Sequence, residues 1–292
     1  LAAVHLIVER GRAAVIDTGT QHSVATILQA LGALGIDPAA VDYVLLTHVH
    51  LDHAGAAGAL MRALPAARLV VHPRGARHMI DPAKLVAGAT AVYGEARFRA
   101  LYGEIVPVPA ERVLEADDGQ VVELHGRPLI CYDAPGHARH HLVFHDPASG
   151  GVFTGDAFGL SYREFDVDGR AFVFPTTTPV QFDPAAMHAT IDRILALKPR
   201  AAYLTHFGRV TELPRLAAEL HALIDAHVAL AESLREAGAA RHIRLVEGLR
   251  ALLTERLRAH GCRLPAERID ALLAHDLELN AQGLEVWLDQ AG

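Results

Sequence analysis

The chain has 292 residues, 51% hydrophobic and 21% charged, with a formal net charge of −7. This is an ordinary soluble composition, with no basic field for nucleic acid and no apolar run near the ~20 residues of a membrane span. Only Cys131 and Cys262 occur, far apart, so neither a disulfide framework nor a thiolate metal site is expected.

Residues 3–8 (AVHLIV) and 12–16 (RAAVI) read as two strands around a turn at Gly11, closed by Asp17-Thr18-Gly19. Val24, Ile27, Leu28 and Leu31 recur at helical spacing over 22–34, and Gly35 stops the run. A buried strand over 41–46 ends at Thr47, a helix follows over 54–64, and a strand over 68–72. This alternation points to an α/β layer architecture. From 112 to 156 the texture is β-rich, with "QVVEL", "RPLICYDA", "HHLVFHD" and "GGVFTGD" separated by Gly, Pro and Asp. Residues 157–182 are polar, Pro-rich and irregular, as functional loops often are. A helix at 184–197 and a strand at 201–204 lead to "THFG". From 211 onward Ala, Leu, Arg and Glu dominate with helical periodicity, in a string of helices broken by Gly238, Gly261 and Gly283. The expected division is a domain over 1–210 and an α-helical extension over 211–292, which carries packing, and homodimerisation where its apolar face is shared.

Nineteen histidines are the unusual count, and position must separate ligands from bystanders. The stretch "LLTHVHLDHAG", residues 45–55, sets His48, His50, Asp52 and His53 just past a buried strand. One histidine at a strand end is ordinarily a hydrogen-bonded, half-buried residue. A cluster of four polar groups costs a few kcal/mol each unless partnered. Asp17, His137, Asp156 and His206 also fall at expected strand ends or turns, where sites are assembled on a rigid scaffold. Imidazoles and carboxylates suit Zn²⁺, Fe or Mn²⁺. One structural zinc is full with four ligands, so seven available donors instead fit two ions, with one carboxylate bridging and open positions for water.

These motifs resemble the metallo-β-lactamase-fold hydrolases. "THVHLDHAG" matches the His-x-His-x-Asp-His motif, and "DTG" at 17–19, "PGH" at 135–137, "GD" at 155–156 and "THFG" at 205–208 follow in family order. The resemblance covers roughly residues 1–210. It implies an α/β fold, a four-layer αβ/βα sandwich with the α-helical C-terminal extension appended, and a dinuclear centre at one edge. It further implies that His48, His50 and His137 hold a first divalent ion, and Asp52, His53 and His206 a second. Asp156 bridges them, and Asp17 orients a ligating histidine. Zn²⁺ is the first expectation, with Fe or Mn as alternatives.

The bridging aspartate makes the chain look like the glyoxalase II, lactonase and phosphodiesterase branches rather than true β-lactamases. The implied reaction is hydrolysis of a small-molecule ester, thioester or lactone by a metal-bridging hydroxide, with Asp52 orienting the hydroxide. Tyr162 is a candidate oxyanion donor and Arg163 a carboxylate contact, while Phe165, Phe172 and Phe174 are read as an apolar wall stiffened by Pro175 and Pro179. The alternatives of the same fold are a phosphodiesterase and a mononuclear iron persulfide dioxygenase. The stretch "AFGLSYREF" after Asp156 departs from the glyoxalase II pattern, which speaks against glutathione thioesters. His140 and His141 lie close to His137, and His141 is a candidate support for a ligand. No nucleic-acid or membrane partner is expected. The chain starts at Leu1, so a cytoplasmic location is a default that leaves room for a trimmed leader.

Overall fold

The computed structural model describes residues 2–177 and 180–290, so the expectation for Pro179 lies outside the described residues. The chain divides into two compact units, Leu1–Asp133 with His140–Gly155, and Ala134–Arg139 with Asp156–Gly292.

In the first unit β1 (His5–Glu9) and β2 (Arg12–Ile16) form an antiparallel hairpin. The chain then passes through α1 (Val24–Ala33), β3 (Val41–Leu45), α2 (Leu51–Ala54), α3 (Ala57–Ala63) and β4 (Arg68–Val71). Three helices follow, α4 (Pro73–Ile80), α5 (Ala83–Tyr93) and α6 (Glu95–Tyr102), before β5 (Val113–Glu115). Strands β2, β3, β4 and β5 pair in parallel, giving a sheet in the order β1-β2-β3-β4-β5. Parallel strands covered by helices should be apolar where they are covered, and the interiors of β2 to β4 are: Val15, Val44, Leu69 and Val70 are all inaccessible to solvent, while Arg12, Asp42 and Arg68 stand at or next to the strand starts. Ile27 and Leu31 of α1 and Leu60 and Met61 of α3 pack on this core. The expected helix over 54–64 is two pieces, and the first starts earlier, at Leu51. Strands β6 (Val121–Leu124), β7 (Arg127–Asp133), β8 (Leu142–Asp146) and β9 (Gly151–Gly155) form an antiparallel meander.

The second unit contains α7 (Pro184–Ala196), the hairpin β10 (Ala201–Leu204) and β11 (Gly208–Val210), and three long helices. These are α8 (Leu213–Ser233), α9 (Arg241–His260) and α10 (Ala266–Gln290). Leu245, Leu249, Leu253 and Leu257 give α9 one buried stripe, and Ile269, Leu273, Leu277, Leu284 and Leu288 give α10 another. Each fully buried leucine contributes about 1.5–3 kcal/mol.

The expected breaks at Gly238 and Gly261 occur, both at positive φ. Gly283 does not break α10. A mid-helix glycine costs about 1 kcal/mol relative to alanine, and burial of the flanking leucines offsets it.

The three phenylalanines expected as an apolar wall are interior. Phe165, Phe172 and Phe174 are at most 3% exposed, because residues 157–177 fold back into a packed loop with Tyr162 stacked among them. No helix among the described residues is long and apolar enough to cross a membrane.

Candidate metal centre

In the first unit the end of β3 delivers four donors within six residues. His48 and His53 are fully buried, and His50 and Asp52 are half-buried. Their support begins at Asp17, which follows β2 at a φ of +56° and is itself inaccessible. Its carboxylate accepts from the Thr47 amide (2.8 Å), the Thr47 hydroxyl (2.9 Å) and His53 Nδ1 (2.9 Å). Thr18 donates its amide (2.7 Å) and hydroxyl (2.9 Å) to the His53 carbonyl. The "DTG" motif therefore fixes both the backbone and the ring of His53.

With Nδ1–H given to Asp17, Nε2 of His53 carries the ring's lone pair, and it stands 3.5 Å from Asp52 Oδ2. His48 is set in a similar way. The Thr47 hydroxyl, donating to Asp17, accepts from His48 Nδ1 at 3.2 Å. His48 Nε2 then faces His50 Nδ1 at 2.9 Å, a spacing that requires a shared proton or a shared cation.

His141 stacks on His48 with ring centroids 4.7 Å apart, and His140 lies further off at 6.2 Å. Gly155 makes this crowding feasible. At its φ of +50°, a Cβ would stand 2.6 Å from the Thr47 hydroxyl and 2.8 Å from His141 Nε2.

In the second unit the donors are His137, Asp156 and His206, all buried or nearly so. The two oxygens of Asp156 are divided between two imidazoles: Oδ2 is 3.5 Å from His137 Nε2, and Oδ1 is 3.5 Å from His206 Nε2. His137 Nδ1 donates to the Thr176 carbonyl at 3.3 Å, which turns Nε2 toward Asp156. Gly136, before His137, has a φ of +130°, and a Cβ there would meet the Met187 backbone at 2.4 Å. His206 sits in the turn between β10 and β11. Arg163 holds that turn by donating to the carbonyls of Phe207 (2.9 Å) and Arg209 (2.7 Å).

Spacings of 3.5 Å are long for hydrogen bonds. They match the roughly 3.4 Å between neighbouring ligands placed about 2.1 Å from a tetrahedral ion. A set of imidazoles and carboxylates with this spacing fits divalent metal, and both units carry such groups.

Two sequence expectations change at this point. Arg163 was a candidate carboxylate contact, but its guanidinium is occupied by the two backbone carbonyls and by Asp166. Tyr162 was a candidate oxyanion donor, yet its hydroxyl donates to Asp276 of α10. Burial, reinforced by the Asp276 charge, pushes the Tyr162 hydroxyl above its ordinary pKa, so it stays a donor. Contact with an oxyanion would cost Tyr162 that bond. Asp276 itself is raised, chiefly by burial. Asp276 and its neighbour Asn280 were not singled out in the sequence. Their signal is a carboxylate and an amide four residues apart, beside the apolar stripe of α10.

A family model for the metallo-β-lactamase superfamily matches residues 2–206. The chain belongs to the metallo-β-lactamase superfamily. Its α/β sandwich is the fold of that superfamily, followed here by a C-terminal helical region.

Among curated proteins, the metallo-β-lactamase fold-containing protein ST1585 of Sulfurisphaera tokodaii is 28% identical over 218 residues, covering 72% of this chain and 74% of its own. A hydroxyacylglutathione hydrolase of Aeromonas hydrophila is 28% identical over 194 residues. That match takes in 66% of this chain but 56% of the relative's length. The crystal structure of the metallo-β-lactamase family protein TTHA1429 from Thermus thermophilus superposes with a TM-score of 0.69 at 21% identity. It covers all of this chain and 89% of that one, a likeness of fold.

Proposed function

We propose that the protein is a metal-dependent hydrolase of a small-molecule ester, thioester or lactone, working with two divalent ions. The observation that carries this reading is the division of Asp156, each oxygen 3.5 Å from a different histidine. A carboxylate placed in this way supports a site for two ions rather than one.

In this reading His48, His50 and His137 would hold one ion, Asp52, His53 and His206 would hold the other, and Asp156 would be common to both. Zn²⁺ suits these nitrogen and oxygen donors, as do Fe and Mn²⁺. When bound, two such ions activate a water and polarise the scissile carbonyl.

The chain's own residues do the positioning. Asp17 and Thr47 fix the tautomers of His53 and His48, so that Nε2 lone pairs rather than N–H groups would be presented to a metal. Asp52, half-exposed, accepts a hydrogen bond from the attacking water and orients it. No serine or cysteine nucleophile is required, and both cysteines are buried.

The hydroxyacylglutathione hydrolase among the relatives supports cleavage at an acyl carbon. Arg163 spends its guanidinium on backbone carbonyls, which favours acyl substrates without a glutathione carboxylate to bind.

The test is a panel of an acyl thioester, a lactone, an aryl ester and an aryl phosphodiester, assayed with zinc-loaded protein. Turnover of one or more acyl substrates, abolished by chelator and restored by zinc, is the expected result. Cleavage of the phosphodiester alone would reverse the substrate assignment.

A further inference from the structure

We infer that α10 sets the metal affinity of this protein by holding His137 in place through a three-residue strap, Pro175-Thr176-Thr177. The inference rests on the metal-binding reading above.

A ligating histidine is oriented by whatever its second nitrogen touches. For His137 that partner is the Thr176 carbonyl, 3.3 Å from Nδ1. A carbonyl can fix a ring only if it is itself fixed, and residues 175–177 belong to no helix or strand. Their anchor is Asn280 in the middle of α10, only 1% exposed. Its Oδ1 accepts from the Thr177 amide at 2.8 Å, and its Nδ2 donates to the Pro175 carbonyl at 3.2 Å. The Asn280 backbone carbonyl also accepts from the Thr177 hydroxyl at 3.0 Å.

The side-chain amide thus grips the residues on either side of Thr176. Only one orientation of the amide satisfies both bonds, which makes asparagine specific here. Leucine would fit the apolar stripe but leave the Thr177 amide and the Pro175 carbonyl unpaired inside the protein, a costly state.

The contact is part of a longer grip. One turn before Asn280, Asp276 accepts from Tyr162. Seven residues after it, Trp287 packs on Phe182 with ring centroids 6.2 Å apart. Positions 276, 280 and 287 share one helix face, so α10 runs along the loop that starts at the proposed bridging ligand Asp156. Asn280 is therefore a positioning residue, acting on His137 through the Thr176 carbonyl.

The experiment compares metal affinity, not only activity. Full-length wild type, Asn280→Ala, Thr177→Val and Trp287→Leu are stripped of metal. Each is titrated with Zn²⁺ against a chromophoric chelator, and with Co²⁺ while its visible spectrum is recorded. Thr177→Val removes one bond of the strap and should weaken the same ion less than Asn280→Ala, whereas Trp287→Leu removes only packing and reports general loosening of the helix.

Asn280→Ala should weaken one of the two ions by roughly ten- to hundredfold, as loss of a ligand's orienting partner does. The Co²⁺ spectrum should change, and the Trp287→Leu control should keep wild-type affinity. If Asn280→Ala does not fold, Asn280→Asp is read instead. It keeps the acceptor for Thr177 but loses the donor to Pro175, and it should weaken the same ion.

Wild-type affinity at both ions in the Asn280 variant, or equal weakening in Trp287→Leu, overturns the inference. A wild-type chain that binds no metal would instead remove the functional reading beneath it.

Discussion

In the first unit four donors lie between His48 and His53, and His48 and His53 are supported by Asp17, Thr18 and Thr47, at the ends of the neighbouring strands β2 and β3. In the second unit three donors come from positions 137, 156 and 206, and their support comes from Arg163, from the strap at 175–177 and from α10. The first set is fixed by hydrogen bonds at strand ends, where the sheet has already placed the backbone. The second relies on an irregular loop and on a helix far along the chain. A local set is insensitive to distant changes. A dispersed set should inherit the stability of everything that holds it.

The largest expected effect within the first set is at Asp52. Asp52→Ala should reduce turnover by orders of magnitude while leaving the unfolding midpoint near wild type, since the side chain is half-exposed. Steady-state kinetics beside thermal unfolding would show the split. Equal loss of activity in His140→Ala would mean that ligands and bystanders have been wrongly separated.

Asp17→Ala comes next, because it removes the partner of His53 without removing a donor. Metal affinity should fall roughly ten- to hundredfold. Stability should fall by about 1–3 kcal/mol, as the buried Thr47 amide loses its acceptor. Chelator competition and urea unfolding measure the two.

Acid should act on the second unit through His227 in α8. The ring is fully buried, its Nδ1 donates to the Leu223 carbonyl at 2.7 Å, and burial pushes its pKa down to about 4. The unfolded chain titrates near 6.5, so between those values it binds more protons than the folded one. Stability is therefore lost as pH falls from about 6.5 to about 4, by roughly 3 kcal/mol in all. His227→Leu should flatten that part of the profile, measured as unfolding free energy against pH.

The smallest effect on chemistry is expected at Tyr162. Tyr162→Phe leaves Asp276 without its hydroxyl partner and should cost about 1–3 kcal/mol of stability, with metal content unchanged. A large loss of turnover at full metal loading and full folding would restore direct contact between Tyr162 and substrate.

The same contrast explains what could be read in the sequence. "VDYVLLTHVHLDH" is legible because one apolar strand runs straight into a dense polar cluster, and because Gly and Pro mark the turns before His137 and Asp156. The helices over 73–102 were not legible. α5 buries none of its described side chains and α6 only Phe98, so no apolar period stands out. Phe165, Phe172 and Phe174 read as a wall toward substrate because aromatic residues in an irregular segment look like a lining, whereas the loop packs them inside. Asp276 and Asn280 could not be tied to the centre at all, since their partners lie more than a hundred residues away in sequence. Only the fold brings them to Tyr162 and to the strap.

The central claim is that the two sets of donors serve two ions through nitrogen and oxygen alone. X-ray absorption at the metal edge, with elemental analysis, on protein purified without chelator tests it most directly. The account predicts ~2 ions per chain, a first shell of nitrogen and oxygen, and a metal–metal vector lost in Asp156→Ala. A single ion per chain at full occupancy, or sulfur in the first shell, would contradict it.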